Sequence, residues 1–263
     1  MEGLIRRFSD RMKCQFFQGL PTAAFDGFLL FSPKYDIFER RSCFPSYSWT
    51  GWRGEIKYEV AYMFTHRDLM NQWLATKTWI IWYKRSTTND TSLVWDVARE
   101  TSFPVEDKWY IGYRSRQPFQ PPPCVELDSS RTDPSDDFTQ DLTTRSLRGY
   151  PLLQFWTLAV YFRIDNQSKH KEHQGWRALV GSDLSACGYI ILDGYSDNES
   201  FFQSDGPFEF VLLSETPGKQ EYHVMLLESK DGIAERRGLG MINRDFVHLS
   251  LGPGPVWKEI LLG

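Results

Sequence analysis

The residues best suited to chemistry in this sequence are few, and each has an ordinary reading beside the reactive one. His170 and His173, with Glu172 between them, form its histidine cluster. Three-residue spacing puts two imidazoles on one helix face, where they can ligate a metal. The surrounding Gln167-Ser168-Lys169 and Lys171 instead have the polarity of a solvated hairpin tip, so no metal is expected. Glu235, Arg236 and Arg237 precede Gly238-Leu239-Gly240. Guanidinium groups beside successive backbone N–H groups make an anion-binding turn, and an arginine–glutamate brace within the fold is the simpler use of the same residues. The Gly-Leu-Gly run lacks the third glycine of a dinucleotide loop and follows charged residues rather than a clean strand. No GxxxxGK[ST] phosphate loop and no GxSxG serine elbow occurs. Carboxylates abound between 114 and 149, but acid–base catalysis needs a desolvated pocket to separate their pKa values. His66, His223 and His248 are isolated; His223 lies in an apolar run, where a satisfied structural histidine is expected. The residues thus point to no catalytic group and no cofactor.

The most distinctive stretch is Cys43 to Gly54, Cys-Phe-Pro-Ser-Tyr-Ser-Trp-Thr-Gly-Trp-Arg-Gly. Gly51 and Gly54 weaken a helix and Pro45 biases the residues before it towards extended geometry, so this is a non-helical crossing. Trp49 and Trp52 each bury on the order of 200 Å² and need a partner for the indole N–H, which makes the pair an anchor of one segment on the rest. An aromatic ligand platform is the functional reading of the same pair.

The elements that must hold these residues read as mainly β. Of the 263 residues, 16% are aromatic and ten are Trp, an excess that favours sheet packing over a helical bundle. A net charge of −4 and a pI of about 5.8 give no electrostatic reason to expect nucleic acid or an anionic membrane surface. Cys14, Cys43, Cys124 and Cys187 are scattered without a CxxC pair, so reduced thiols and a cytoplasmic location are expected. No signal peptide and no membrane span is read, which leaves the sequons at Asn89, Asn166 and Asn198 as chance matches.

Four regions follow in order. Residues 1–54 open with an amphipathic helix carrying Leu4, Phe8 and Met12, expected to end near Gly19, then a short helix from Pro21 to Phe31, then the Trp-rich motif. Residues 55–113 form a first β region: alternation over Ile56, Tyr58, Val60 and Tyr62, a helix or loop from His66 to Thr76, a buried strand from Thr78 to Tyr83, and weaker strands at 93–97 and 109–113. Residues 114–149, rich in Pro and Asp, read as a linker or loop. Residues 150–263 form a second β region with strands at Leu152–Ile164, Cys187–Leu192, Glu209–Leu213 and Tyr222–Glu228, and a closing strand around Trp257. The fold class expected is mainly β (α+β), an antiparallel sandwich or meander with a short helical N-terminal segment, both β regions packing into one domain.

Phe44-Pro-Ser-Tyr-Ser-Trp-Thr-Gly-Trp-Arg-Gly54 resembles the FPSWSWAGW-basic-G stretch of fungal heterokaryon-incompatibility (HET) domain proteins. Upstream, Gly19-Leu20-Pro21, Phe25-Asp26, Leu29-Leu30 and Arg40-Arg41 are similar to the segment before that motif. Downstream, residues 78–83, 150–155, 232–240 and 252–263 resemble blocks of the C-terminal region of HET proteins from mushroom-type fungi. The motif residues are Pro45, Trp49, Gly51, Trp52, Gly54, Glu235, Arg236, Arg237 and Trp257. The family's core blocks, an LSYxWG-like strand end, a WIDxxCINQ-like block and a YxxA helix, do not occur here. The resemblance therefore implies the region after the core, in a core-less paralogue or a truncated reading frame whose first helix leaves Leu4, Phe8 and Met12 uncovered. In the family, the core triggers cell death when incompatible cells fuse, and it resembles the TIR fold, some members of which cleave NAD. For this chain the resemblance implies a non-catalytic accessory or regulatory module acting through a protein partner. Two alternatives stay open: an enzyme, hydrolytic or NAD-consuming, with a pocket around Arg236, Glu235 and His223, or a carbohydrate- or small-ligand-binding sandwich with Trp49, Trp52, Trp79 and Trp82 exposed in a row.

Overall fold

A computed structural model describes residues 2–35, 38–86, 90–95, 149–165, 167–168, 175–194, 206–218 and 220–263. His170, Glu172 and His173, Cys124, the three sequon asparagines, the 109–113 strand and nearly all of the 114–149 linker lie outside them.

In order, the elements are α1 (Glu2–Met12), β1 (Phe16–Phe17), β2 (Leu20–Pro21), α2 (Phe25–Leu29), β3 (Phe31–Pro33), β4 (Glu39–Arg40), β5 (Trp52–Arg53), β6 (Ile56–Tyr58), α3 (Arg67–Thr76), β7 (Tyr83–Arg85) and β8 (Thr91–Leu93). The second half contributes β9 (Leu152–Asp165), β10 (Trp176–Val180), β11 (Ala186–Leu192), β12 (Phe208–Glu215), β13 (Glu221–Lys230), β14 (Ile233–Asn243) and β15 (Val256–Leu262). Mainly β structure with a few short helices is what composition and alternation predict.

Among the described residues nine strands form one largely antiparallel sheet, and its ladder returns on itself. β9 pairs with β12, β12 with β13, β13 with β14, β14 with β11, β11 with β10, and β10 pairs again with β9. β15 fills the other end of the gap, running antiparallel to β9 over Val256↔Ala159 to Leu262↔Leu153 and touching β14 in parallel at Ala234↔Leu262. Closure removes most of the unpaired edge that a sheet this size would otherwise present. β9 makes it possible, being long enough to pair β15 along its first half and β10 at its end. Both of its faces are buried: Phe155, Thr157 and Ala159 on one, Leu158, Val160 and Phe162 on the other.

The N-terminal residues cover this sheet rather than joining it. Phe25 meets Trp82 edge-on at 5.5 Å, and Trp82 lies 4.5 Å from Phe155 of β9. One hydrophobic cluster accordingly runs from Cys14 to Leu262.

Several expected elements differ in extent. α1 ends at Met12, where Lys13 adopts a left-handed φ of +50°, instead of continuing to Gly19. The Pro21–Phe31 helix is a 3-10 turn, Thr22–Ala24, followed by only five residues of α2. Alternation at 56–62 stops at Tyr58 and passes into a 3-10 turn, Ala61–Thr65. The 78–83 run is buried as expected at Trp79, Ile80 and Trp82, but only a single bridge, Thr78↔Ser214, ties it to a strand before β7. Its aromatic side chains supply the packing that would otherwise have required a ladder. β10 and β14 were not legible as strands: charged residues and glycines interrupt their apolar pattern.

Candidate functional site

Arg236 of one motif and Ser46 of the other meet in a buried clasp between the N-terminal segment and β14, while Arg237, Glu235 and Trp257 lie outside it. Leu227 opposes Arg236 and Leu226 opposes Gly238, so Arg237 is the extra residue of a β-bulge. Adjacent residues of β13 point to opposite faces, so the bulge sends Arg236 to the face opposite that of Gly238. There it meets the N-terminal layer. Arg236 is fully buried, and its Nε donates to Asp193 Oδ2 at 2.6 Å while Nη2 donates to Oδ1 at 3.0 Å, a two-pronged pair at the end of β11. Nη1 donates to the Leu29 carbonyl at 3.0 Å, and Nη2 also donates to the Phe31 carbonyl. The guanidinium stacks on Phe31, 3.8 Å from the ring centroid. A buried charge is tolerable only when paired and hydrogen-bonded, and both conditions hold here. Burial pushes the Asp193 carboxyl above its ordinary pKa, and the Arg236 charge pulls it back.

The Trp-rich motif closes the same joint from the other side. The Arg236 backbone N–H donates to Ser46 Oγ at 2.9 Å, and Ser46 N donates to the Gly263 main-chain oxygen at 3.0 Å. Trp52 Nε1 donates to the Ser46 carbonyl at 2.9 Å and Trp49 Nε1 to the Gly19 carbonyl at 3.0 Å. Tyr47 reaches from the motif to the Pro151 carbonyl at 2.8 Å; burial raises its phenol well above the usual value. Arg40 Nη1 donates to the carbonyls of Arg41, Phe44 and Gly51, and its guanidinium lies 5.4 Å from the Trp52 ring. Gly51 is required by contact: a Cβ there would lie 2.2 Å from the Pro45 carbonyl oxygen. Gly54 is required by backbone, with φ at +143°.

The expected arginine–glutamate brace exists at Arg237, which pairs with Glu228 and, at 3.5 Å, with Glu235. The partner of Arg236 is an aspartate from another strand. Neither arginine lies in an anion-binding turn, since both belong to β14. Trp257 is half-buried on β15 opposite Leu158 and packs on the core.

No family model, curated protein or solved structure matches the chain. Its chemistry must therefore be read from its own side chains.

His223 does not join Arg236 in a common opening. Both lie on one face of the β13–β14 ladder, but His223 opposes Met241, well along the strand from Leu227 and Arg236. It is buried, its Nδ1 lies 2.9 Å from Ser214 Oγ, and the Trp73 ring of α3 stands edge-on 6.4 Å away. Burial holds its pKa down at about 3, so the imidazole is neutral, the structural histidine that the sequence predicts. Of the four tryptophans that a sugar platform would need exposed, Trp52, Trp79 and Trp82 are buried and Trp49 is half-buried with its N–H in use. Among the described residues no group of His, Cys, Asp and Glu side chains is arranged to hold a metal, and no helix is long and apolar enough to cross a membrane.

Sequence reasoning missed Asp193 and Ser46. The sequence offers a neighbouring glutamate as the partner of both arginines, and nothing local marks Arg236 as the buried one. The strand end Leu192-Asp193-Gly194 gives no local hint that it supplies the carboxylate.

Proposed function

We propose that this chain is a non-catalytic accessory or regulatory module acting through protein contacts, related to the region that follows the death-inducing core in fungal HET proteins and working in the cytosol. One observation carries the reading: the residues that bear the resemblance are consumed in internal bonds. Trp49, Trp52, Arg40 and Arg236 direct their donors at main-chain carbonyls or at Asp193. Indoles and a buried guanidinium that bond inward hold a shape, while Arg53 and Arg237 of the same motifs stay at the surface, and a held shape with a polar rim suits recognition. The free thiols of Cys14, Cys43 and Cys187 accord with a reducing compartment.

Expression in yeast, of the chain alone and of the chain fused behind a complete HET core, with viability and NAD scored together, tests the proposal. The expected result is no toxicity and no NAD loss from the chain alone, and altered toxicity of the core in the fusion. NAD loss or death from the chain alone would replace the module with an enzyme; a fusion no different from the core alone would remove the regulatory role.

A further inference from the structure

The acidic balance of the whole chain conceals a local reversal on α1. Its inner side is tied down: Met12 packs on the core, and Ser9 Oγ donates to the Cys14 carbonyl at 2.6 Å. Among the described side chains, its outer side exposes Arg6, Arg7 and Arg11, with Asp10 the one anion among them. None of the three guanidiniums has an ion pair among the described residues. Phe8, beside Arg7 and Arg11, leaves 47% of its surface in solvent. In a chain of net charge −4, three exposed arginines against one aspartate, two of them beside an exposed phenyl ring, are a concentrated exception.

We propose that this face of α1 is a docking surface for an anionic phospholipid bilayer. Charge complementarity selects an anionic partner, since guanidinium groups pair with phosphate and carboxylate alike. Shape selects between the two sources. A single helix lying on the body is convex, and an acidic peptide laid on it would bury little area; peptide recognition relies on a groove or a sheet edge. A bilayer surface demands no groove. Its negative potential acts on every exposed cation within a Debye length, and an aromatic ring at headgroup depth adds apolar contact. Phe8 is placed to enter the headgroup layer while Arg7 and Arg11, on one side of it, meet the phosphates. The attachment is reversible and salt-sensitive.

The test is flotation of the full chain with vesicles of phosphatidylcholine alone or with about a quarter phosphatidylserine, at about 0.1 M and about 0.5 M salt. Binding is expected only with phosphatidylserine and only at low salt. The double variants Arg7→Glu/Arg11→Glu and Arg7→Gln/Arg11→Gln should lose it by about tenfold or more, with unchanged melting temperature because these side chains are exposed. No flotation with phosphatidylserine, equal flotation with phosphatidylcholine alone, or flotation unaffected in both variants overturns the proposal. Binding to polyglutamate in the absence of vesicle binding overturns it in favour of an acidic protein segment.

Discussion

Two attachments hold the N-terminal layer to one face of β13 and β14, and they solve the same problem with opposite chemistry. Around Arg236 the joint is ionic: a buried guanidinium spans Asp193 and two N-terminal carbonyls. Around His223 the ring itself is neutral, although a Lys77–Glu215 ion pair stands beside it at the end of α3. Trp73 Nε1 donates to the Glu215 carbonyl at 2.8 Å, Ser214 and the uncharged imidazole share a hydrogen bond, and rings fill the space. Neither joint leaves a charge unpaired, yet they differ in what breaks them. The ionic joint fails when one partner is removed, because the other becomes an uncompensated buried charge. The neutral joint fails when it acquires a proton.

The largest effect is therefore expected at Arg236. Arg236→Met strands the Asp193 carboxyl and the carbonyls of Leu29 and Phe31, and should cost about 3–5 kcal/mol in urea unfolding. A cost below about 1 kcal/mol would mean that the clasp is incidental. The His223 joint should respond to pH instead. Its pKa is held at about 3 in the fold and returns to about 6.5 when unfolded, so the unfolded chain takes up a proton first as pH falls. Stability contributed by the neutral ring is intact above pH 6.5 and is lost progressively down to about pH 3, with about 2 kcal/mol gone between pH 6.5 and about 4.5. His223→Gln should flatten that slope, and an unchanged slope would show that other groups cause it. Gly51→Ala, which forces a Cβ against the Pro45 carbonyl, should cost about 1–3 kcal/mol by displacing the motif that backs the clasp. Arg237→Ala should move the urea midpoint least, by about 1 kcal/mol or less, because its pairs with Glu228 and Glu235 are partly exposed. That last pair of adjacent arginines sharpens the contrast: identical side chains, one residue apart, with effects separated by a bulge.

The sequence carried the fold class and much of the architecture. Alternation located β9, β11, β12 and β13 to within a few residues, and Pro45 with the glycines marked a non-helical segment, although both indoles bond within the N-terminal residues and it is Ser46 and Tyr47 that reach the second half. Those signals are local: side-chain period, turn chemistry and the requirement of an indole for a partner leave their mark in neighbouring residues. The amphipathic pattern of α1 was local in the same way, although its length was not, since Lys13 turns the chain before the periodicity is spent.

What the tertiary structure alone decided is who faces whom. Asp193 and Arg236 are separated by 43 positions, and Ser46 and Arg236 by 190, and no local rule connects them. β10 and β14 became strands because closure of the sheet supplied partners on both sides, overriding a poor intrinsic pattern. The bulge at Arg237 set the face on which Arg236 emerges, and strict two-residue alternation would have placed it with Gly238 and Gly240. The sequence by itself marked Glu235-Arg236-Arg237 as a place for an arginine–carboxylate brace; only the folded ladder, through one extra residue in β14, determined which arginine would be buried, which carboxylate it would meet and which segment it would hold.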